Sequence, residues 1–210
     1  MRSEIEPGGQ KSRSFIEEAR RAQIVASAVE VIADVGFAQA SLARIAKHAG
    51  ISKGVISYHF AGKDELMQEV VERSYGGITE HVLAKMEGLR SATELLRTHI
   101  LAVADHMRGH RTQLQALGEI FYNLRTAEGQ PRYGIKANEE IYLALEQIYR
   151  LGQANGEFRD FDPRVMAITH SSAIDNMFAY WVATPATTWT RTRPNWPTSS
   201  KGHAENEGRA

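Results

Sequence analysis

Residues 41–66 read SLARIAKHAGISKGVISYHFAGKDEL, and the rest of the chain is arranged around them. Leu42, Ile45 and Ala46 recur at helical spacing behind Ser41, whose hydroxyl suits an N-cap. Gly50 supplies the backbone freedom to end that segment and turn the chain. Ser52 caps a second segment that runs to about Tyr58, and Lys63 opens a third helix. Helix, turn, helix within about twenty residues is the layout of a DNA-reading unit.

Upstream, Ser14 and Glu17 make a capping-box pattern, and Ile24, Val25, Ala28, Val29 and Ile32 form one stripe before Gly36. Residues 1–13, polar and containing Pro7, Gly8 and Gly9, are expected to be a disordered arm. Arg20 and Arg21 suit the solvated side of the first helix, with DNA contact as the alternative. Downstream, Leu66, Met67, Val70 and Ile78 mark a helix over about 63–85. Gly76 and Gly77 interrupt its pattern at roughly 1 kcal/mol each relative to alanine, so a kink, a hinge or a close helix crossing is expected near them, with simple packing glycines as the alternative.

Helices then follow over about 91–108, 110–125, 137–155 and 163–183, separated by Gly109, TAEGQPRYG (126–134) and GQANGEFRDFD (152–162). Asp162 and Pro163 form a cap and first turn. No strand period appears, and residues 184–210 turn polar. The fold class expected is all-α.

The chain has 210 residues, no cysteine, and 25 basic against 25 acidic side chains. Thiol redox sensing is excluded. A net charge of zero argues against nucleic-acid binding until its distribution is read. Residues 1–63 hold nine Lys or Arg and six Asp or Glu, leaving 16 and 19 for the remainder. A basic head and an acidic body fit a protein whose head alone meets phosphate. No apolar run approaches the ~18 residues of a membrane span, and the N-terminal residues lack a signal-peptide core. A cytoplasmic location and no membrane partner are expected.

From Arg20 to about Val71 the sequence resembles the TetR family of one-component bacterial transcription regulators. The first helix ends in VGF, and GIS, KG, an aromatic before HF, and KDEL follow at the family's spacing. The resemblance implies an all-helical homodimer, with residues 14–62 as a helix-turn-helix DNA-binding domain. Residues 63–183 would form an effector-binding and dimerisation domain, and 184–210 a polar tail. Its implied partners are a double-stranded DNA operator, a small-molecule effector and a second copy, joined through the last two long helices. Where many relatives carry an aromatic, this chain has Ser57.

A recognition helix entering the major groove would present Lys53, Gly54, Val55 and Ser57 to base edges, with Lys53 as the donor to guanine. Ser41 and Ser52 at helix starts suit phosphate oxygens, Arg44 adds charge, and Tyr58, His59 and Lys63 would clamp the backbone. Simple capping by the serines and a structural His59 stand as alternatives. For the effector, Leu96, Ile100, Met107, Phe121, Tyr122, Tyr142, Tyr149, Asp175, Met177 and Phe178 are the candidate lining, with plain helical core as the alternative for each. Aromatic rings, methionines and a carboxylate suit a flat hydrophobic molecule, including a cationic one.

Within SSAIDNMFAYWV and just before it, Ile168, Ser171, Ser172, Asp175, Phe178, Ala179 and Val182 form a stripe of small and apolar residues expected at the dimer interface. His106 and His110 stand four apart beside Asp105, but Gly109 intervenes and only His99 offers a third ligand, so no metal is expected. No catalytic constellation or cofactor motif appears. The function expected is a ligand-responsive repressor released from a palindromic operator, not an enzyme. The alternative is a helical small-molecule-binding or scaffold protein without specific DNA binding.

Overall fold

In the computed structural model the backbone is described at residues 7–133 and 135–184, and side chains at 15–133 and 137–184. Helix α1 (Pro7–Val35) begins at a proline, which suits a first helical turn. It therefore runs through Ser14 instead of starting there, and residues 7–13 are helical where an arm was expected. Residues 1–6 of that arm lie outside the described residues.

The anticipated stripe packs as read. Ile24, Val25, Ala28 and Ile32 are buried, and they meet Ile45 and Ala46 of α2 (Leu42–His48) and Ile56 of α3 (Lys53–His59). Ser41 Oγ accepts from the Arg44 amide at 3.2 Å, and Ser52 Oγ accepts from the Val55 amide at 3.4 Å. Gly50 sits at φ +67°, a left-handed conformation that glycine adopts without steric cost, and so turns the chain between the two helices. Phe60 then plugs the base of the head. Its ring is 1% exposed and lies 4.3 Å beneath the Arg21 guanidinium, and such burial is worth ~1.5–3 kcal/mol.

Helix α4 (Lys63–Met86) passes through Gly76 and Gly77 without a break. Of the alternatives read for the pair, a close packing contact is what Gly77 shows, since a Cβ there would stand 3.9 Å from His106 Cε1 on α5, and the packing of α4 on α5 offsets a propensity cost of roughly 2 kcal/mol. The body continues with α5 (Ala92–Gly109), α6 (Arg111–Asn123), a 3₁₀ turn (Ile135–Asn138), α7 (Glu139–Ala154) and α8 (Pro163–Ala183). Asp162 caps α8 as read, its Oδ1 accepting from the Arg164 and Val165 amides at 2.8 and 3.2 Å. The fold among the described residues is eight α-helices, with a single isolated bridge between Arg125 and Pro131 as the only extended pairing.

One apolar core runs from the head into the body, from Ile24 through Met67 and Met107 to Trp181. A smaller cluster of Leu145, Tyr149 and Ala167, flanked by Leu96, Phe158 and Phe161, holds α7 on α8 and reaches α5. Gly152 permits that packing. A Cβ there would stand 2.2 Å from the Phe158 ring and 3.0 Å from the Ala92 Cβ. Beyond Thr184, the polar tail lies outside the described residues. No helix among the described residues is long and apolar enough to cross a membrane.

Candidate functional site

The outer face of the head gathers most of the residues singled out for DNA. Ser41, Arg44, Ser52, Lys53, Gly54, Ser57 and Tyr58 are all exposed, Tyr58 at 74%. Val55 is half-buried beside them. Burial of Ile45, Ala46 and Ile56 on the inner side forces this outcome, since residues a turn apart share a face and the remainder must point away. Among the described residues, Arg44, Lys47 and Lys53 enter no ion pair. Three uncompensated cations on one surface make a local positive field despite the neutral total.

Two of the expected phosphate clamps are placed differently. Lys63 turns inward, its Nζ donating to the Phe37 carbonyl at 2.5 Å and lying 4.0 Å from the Phe37 ring centroid. Burial lowers its pKa. The chain leaves α3 at the buried Phe60, so the first residue of α4 starts beneath the head and not on its rim. His59 is half-buried, with its ring edge-on to Tyr58 and its carbonyl accepting from Arg21. Arg21 also pairs with Glu69 at 2.7 Å and thereby ties α1 to α3 and α4, while Arg20 stays at the surface and donates to Gln23.

Head and body are joined by contacts that periodicity does not reveal. Glu119 on α6 accepts from the Phe37 amide at 2.9 Å and Gln115 donates to the Ala33 carbonyl at 2.8 Å, while within the body Gln113 donates to the buried Ser74 hydroxyl of α4 at 3.0 Å. Thus α6, as well as α4, grips the end of α1. A recess of about 320 Å³ opens along this seam, lined by Val25, Val29, Glu30, Arg73 and Gln113.

The ten effector candidates divide. Phe121 meets Tyr75 and Tyr133, its ring 5.8 Å from that of Tyr75 and 5.1 Å from that of Tyr133; Asp175 and Tyr142 lie near enough to act on the Tyr75 phenol, and Tyr142 has the Arg164 guanidinium 5.3 Å from its ring centroid. Although Asp175 lies on an exposed part of α8, its carboxyl is desolvated, and this raises its pKa. Burial first, and then the charge of Asp175, raise the Tyr75 phenol. Met177 and Phe178 pack nearby against the main core, which also takes in Met107 completely.

Leu96 and Tyr149 belong to the smaller cluster, and Ile100 and Tyr122 face outward at 43% and 75% exposure. Tyr122 follows Phe121 on the helix, so the turn that buries one exposes the other. Tyr75 and Tyr133 escaped the sequence reading because α4 was assigned to connection and 126–134 to a breaker.

A second polar group also emerges only in three dimensions. His99 Nδ1 lies 3.1 Å from His170 Nε2, and His170 Nδ1 lies 3.1 Å from the Tyr149 hydroxyl, linking α5, α8 and α7. Burial, then the neighbouring His170, pull His99 down to about 4, and burial lowers His170 as well.

On α7 and α8 the outward apolar residues are Leu143, Leu151, Val165, Ile168 and Tyr180, interspersed with exposed Ser172, Ala173 and Ala179. The stripe read from sequence is therefore rotated. Ser171 is buried and Phe178 and Val182 pack on the core, whereas Ile168, Ser172 and Ala179 remain outside.

The sequence profile described as bacterial regulatory proteins of the tetR family matches residues 24–70, which span the buried face of α1 through the start of α4. The transcriptional activator FasR of Mycolicibacterium smegmatis is 30% identical over 175 residues, covering 83% of this chain and 78% of FasR. The chain belongs to the TetR family. The transcriptional regulator BetI 1 of Chromohalobacter salexigens is 34% identical over 101 residues, 48% of this chain, and the chain spans only about half of that relative's length, 50%. In fold, this TetR-family regulator is similar to Bacillus subtilis FadR, solved in complex with stearoyl-CoA. The TM-score is 0.69 at 24% identity, covering 80% of this chain and 89% of that one.

Proposed function

We propose that the chain is a homodimeric, ligand-responsive DNA-binding regulator that works in the cytoplasm as a repressor. The observation that carries this is the outer face of α2 and α3, where Arg44, Lys47 and Lys53 stand unpaired around two serine-capped helix starts. Lys53 and Ser57 would read base edges in the major groove, with Gly54 allowing close approach. Ser41, Ser52, Tyr58 and Arg44 would hold phosphates. Lys63 drops out of that set because its ammonium is engaged with Phe37.

Two such heads require a palindromic site with half-sites on one face of the duplex. The outward residues of α7 and α8 would supply the dimer contact, as an apolar stripe with small residues that let two helices approach closely. The group Tyr75, Phe121, Tyr133, Tyr142 and Asp175 would receive the effector. Its rings favour a hydrophobic molecule, and a desolvated carboxylate among aromatic faces favours a cationic one. Such a ligand and DNA would each weaken the other's binding by the same factor.

A gel-shift against the upstream region of its own gene, beside a scrambled duplex of equal length, tests the reading. Preference for the upstream duplex is the result expected. Equal binding to both, or none, would favour a small-molecule-binding or scaffold protein that keeps the head without specific DNA recognition.

A further inference from the structure

The head is held to the body at two places. Helix α4 runs from one into the other, and its first turns join the head's core through Leu66, Met67 and Val70. A single helix would leave the head free to swing about it, but the end of α1 is held as well. Two residues one turn apart on α6 do this: Gln115 donates to the Ala33 carbonyl at 2.8 Å, and Glu119 Oε2 accepts from the Phe37 amide at 2.9 Å. Ala33 and Phe37 are likewise four apart, so successive turns of α6 meet successive turns at the end of α1. From the start of α4, Lys63 Nζ donates to the Phe37 carbonyl at 2.5 Å. Both backbone polar groups of Phe37 are thus taken by charged side chains from different helices, and charge-assisted bonds are the stronger kind.

Glu119 is half-buried, and among the described residues its carboxylate enters no ion pair and has no hydrogen-bond partner besides Phe37. Gly36 gives it room: the residue sits at φ +78°, and a Cβ there would stand 3.3 Å from Glu119 Oε2. Little slack remains before the DNA-reading unit. The Ala40 amide donates to the Gly36 and Phe37 carbonyls at 3.2 and 3.3 Å, Ala40 is fully buried, and Ser41 beside it caps α2. The other end of the link lies in the body. Phe121 follows Glu119 by two residues on α6, and its ring is 5.8 Å from that of Tyr75 on α4. The two helices that meet at this pair are the two that hold Phe37.

We propose that Phe37 is the joint through which the body sets the DNA-reading helices, and that Glu119 is the positioning residue that carries a change around Phe121 to it. This rests on the reading of the chain as a ligand-responsive DNA-binding regulator. A shift of α6 relative to α4 moves one of the two side chains on Phe37 against the other. Both bonds are short and directional, so the turn over residues 36–40 follows and α2 turns with it. The device needs reach at position 119 more than charge. Aspartate there keeps the charge but falls one methylene short of the Phe37 amide, whereas glutamine loses the charge but keeps the reach and an acceptor oxygen.

Hydrogen exchange of the DNA-free full-length chain, read by mass spectrometry, tests the joint. In Glu119→Asp the amides of residues 37–44 should exchange at least about tenfold faster than in wild type, as expected for loss of a bond to a charged group. Glu119→Gln should stay closer to wild type than Glu119→Asp does. Gln113→Ala, which removes a bond between α6 and α4 within the body, should leave residues 37–44 unchanged and so separates general loosening of α6 from the joint. Phe121→Leu should alter exchange at 37–44 when Glu119 is present and not in the Glu119→Asp chain. Affinity for the upstream duplex should fall in Glu119→Asp and be kept in Glu119→Gln. A wild-type chain with no preference for that duplex would fail the regulator reading, and exchange would then decide the joint by itself. Exchange at 37–44 that is unchanged in Glu119→Asp, equally raised by Gln113→Ala, or altered alike by Phe121→Leu in both backgrounds would overturn the proposal.

Discussion

The head and the body of this protein expose their chemistry in opposite directions. In the head, Ile24, Val25, Ala28, Ile32, Ile45, Ala46 and Ile56 of α1 to α3 turn inward as a set, so Lys53, Arg44, Ser57 and Tyr58 are left on the outer surface, where a duplex would meet them. In the body, His99 turns inward against His170, and Tyr75 is buried beside an Asp175 whose carboxyl is desolvated. An outward face follows from one helix's periodicity, whereas an inward group needs three or four helices to assemble. The head is therefore a surface that can be altered with little effect on folding, and the body is a core in which function and stability share the same side chains.

The sharpest way to break this contrast is the double variant Arg44→Ala/Lys53→Ala. Affinity for the operator should fall roughly 10–100-fold or more, since one good base contact alone contributes about 1–3 kcal/mol. The thermal midpoint should stay nearly fixed, because both side chains are exposed. Fluorescence anisotropy and a melting curve on the same sample read both; a fall in the midpoint equal to that of a core variant would show that the head's surface is not separable from its fold.

In the body, Gly152→Ala forces a methyl into the Phe158 ring. A loss of about 1–3 kcal/mol is expected in urea unfolding, with DNA affinity of the folded fraction unchanged. Acid should discriminate next. The folded-state pKa of His99 lies below its ordinary value of 6.5, at about 4. Unfolded chain therefore binds the extra proton more readily, and stability is lost as pH falls from 6.5 towards about 4.

Glu157, whose carboxylate accepts from the Ser91 hydroxyl and the Ala92 and Thr93 amides, is held down to about 2 from 4.5. Its contribution is present above 4.5 and disappears as pH falls through about 2. Melting curves across this range should show the His99→Gln variant losing less stability than wild type between 6.5 and 4, and Glu157→Gln less stable than wild type above 4.5, with that gap closing as pH falls towards about 2.

The smallest effect expected is at Gly76, where a Cβ would meet nothing within 4 Å. Gly76→Ala should raise stability by about 0.5–1 kcal/mol. A loss instead would indicate that α4 must bend there.

The same contrast explains how much could be read from one dimension. Ser41, Gly50, Ser52 and Asp162 act within a few residues of themselves, so their caps and turns appear in the chain as written. The helices of the body were also legible, because a 3.6-residue stripe needs no partner to be recognised. What faces what was not. Tyr122 and Phe121 look alike in sequence and diverge in burial, Lys63 gives no local sign of turning towards Phe37, and Glu119 reaches a residue 82 positions away. Gly76 and Gly77 left several outcomes open, and only the packing of α4 on α5 decides that the helix continues through them. His81 comes within 5.4 Å of His106, ring to ring, only because two helices cross.

The central claim is that the outer face of α2 and α3 binds DNA through phosphate contacts and base readout together. Operator affinity measured by anisotropy from low to moderate salt tests it directly. The claim predicts a straight decline of log K against log salt, with a slope near −0.9 for each phosphate neutralised, shallower in Arg44→Ala and steeper for the operator than a flat line at every protein concentration. A salt-independent affinity, or a slope unchanged by removing Arg44, would contradict it.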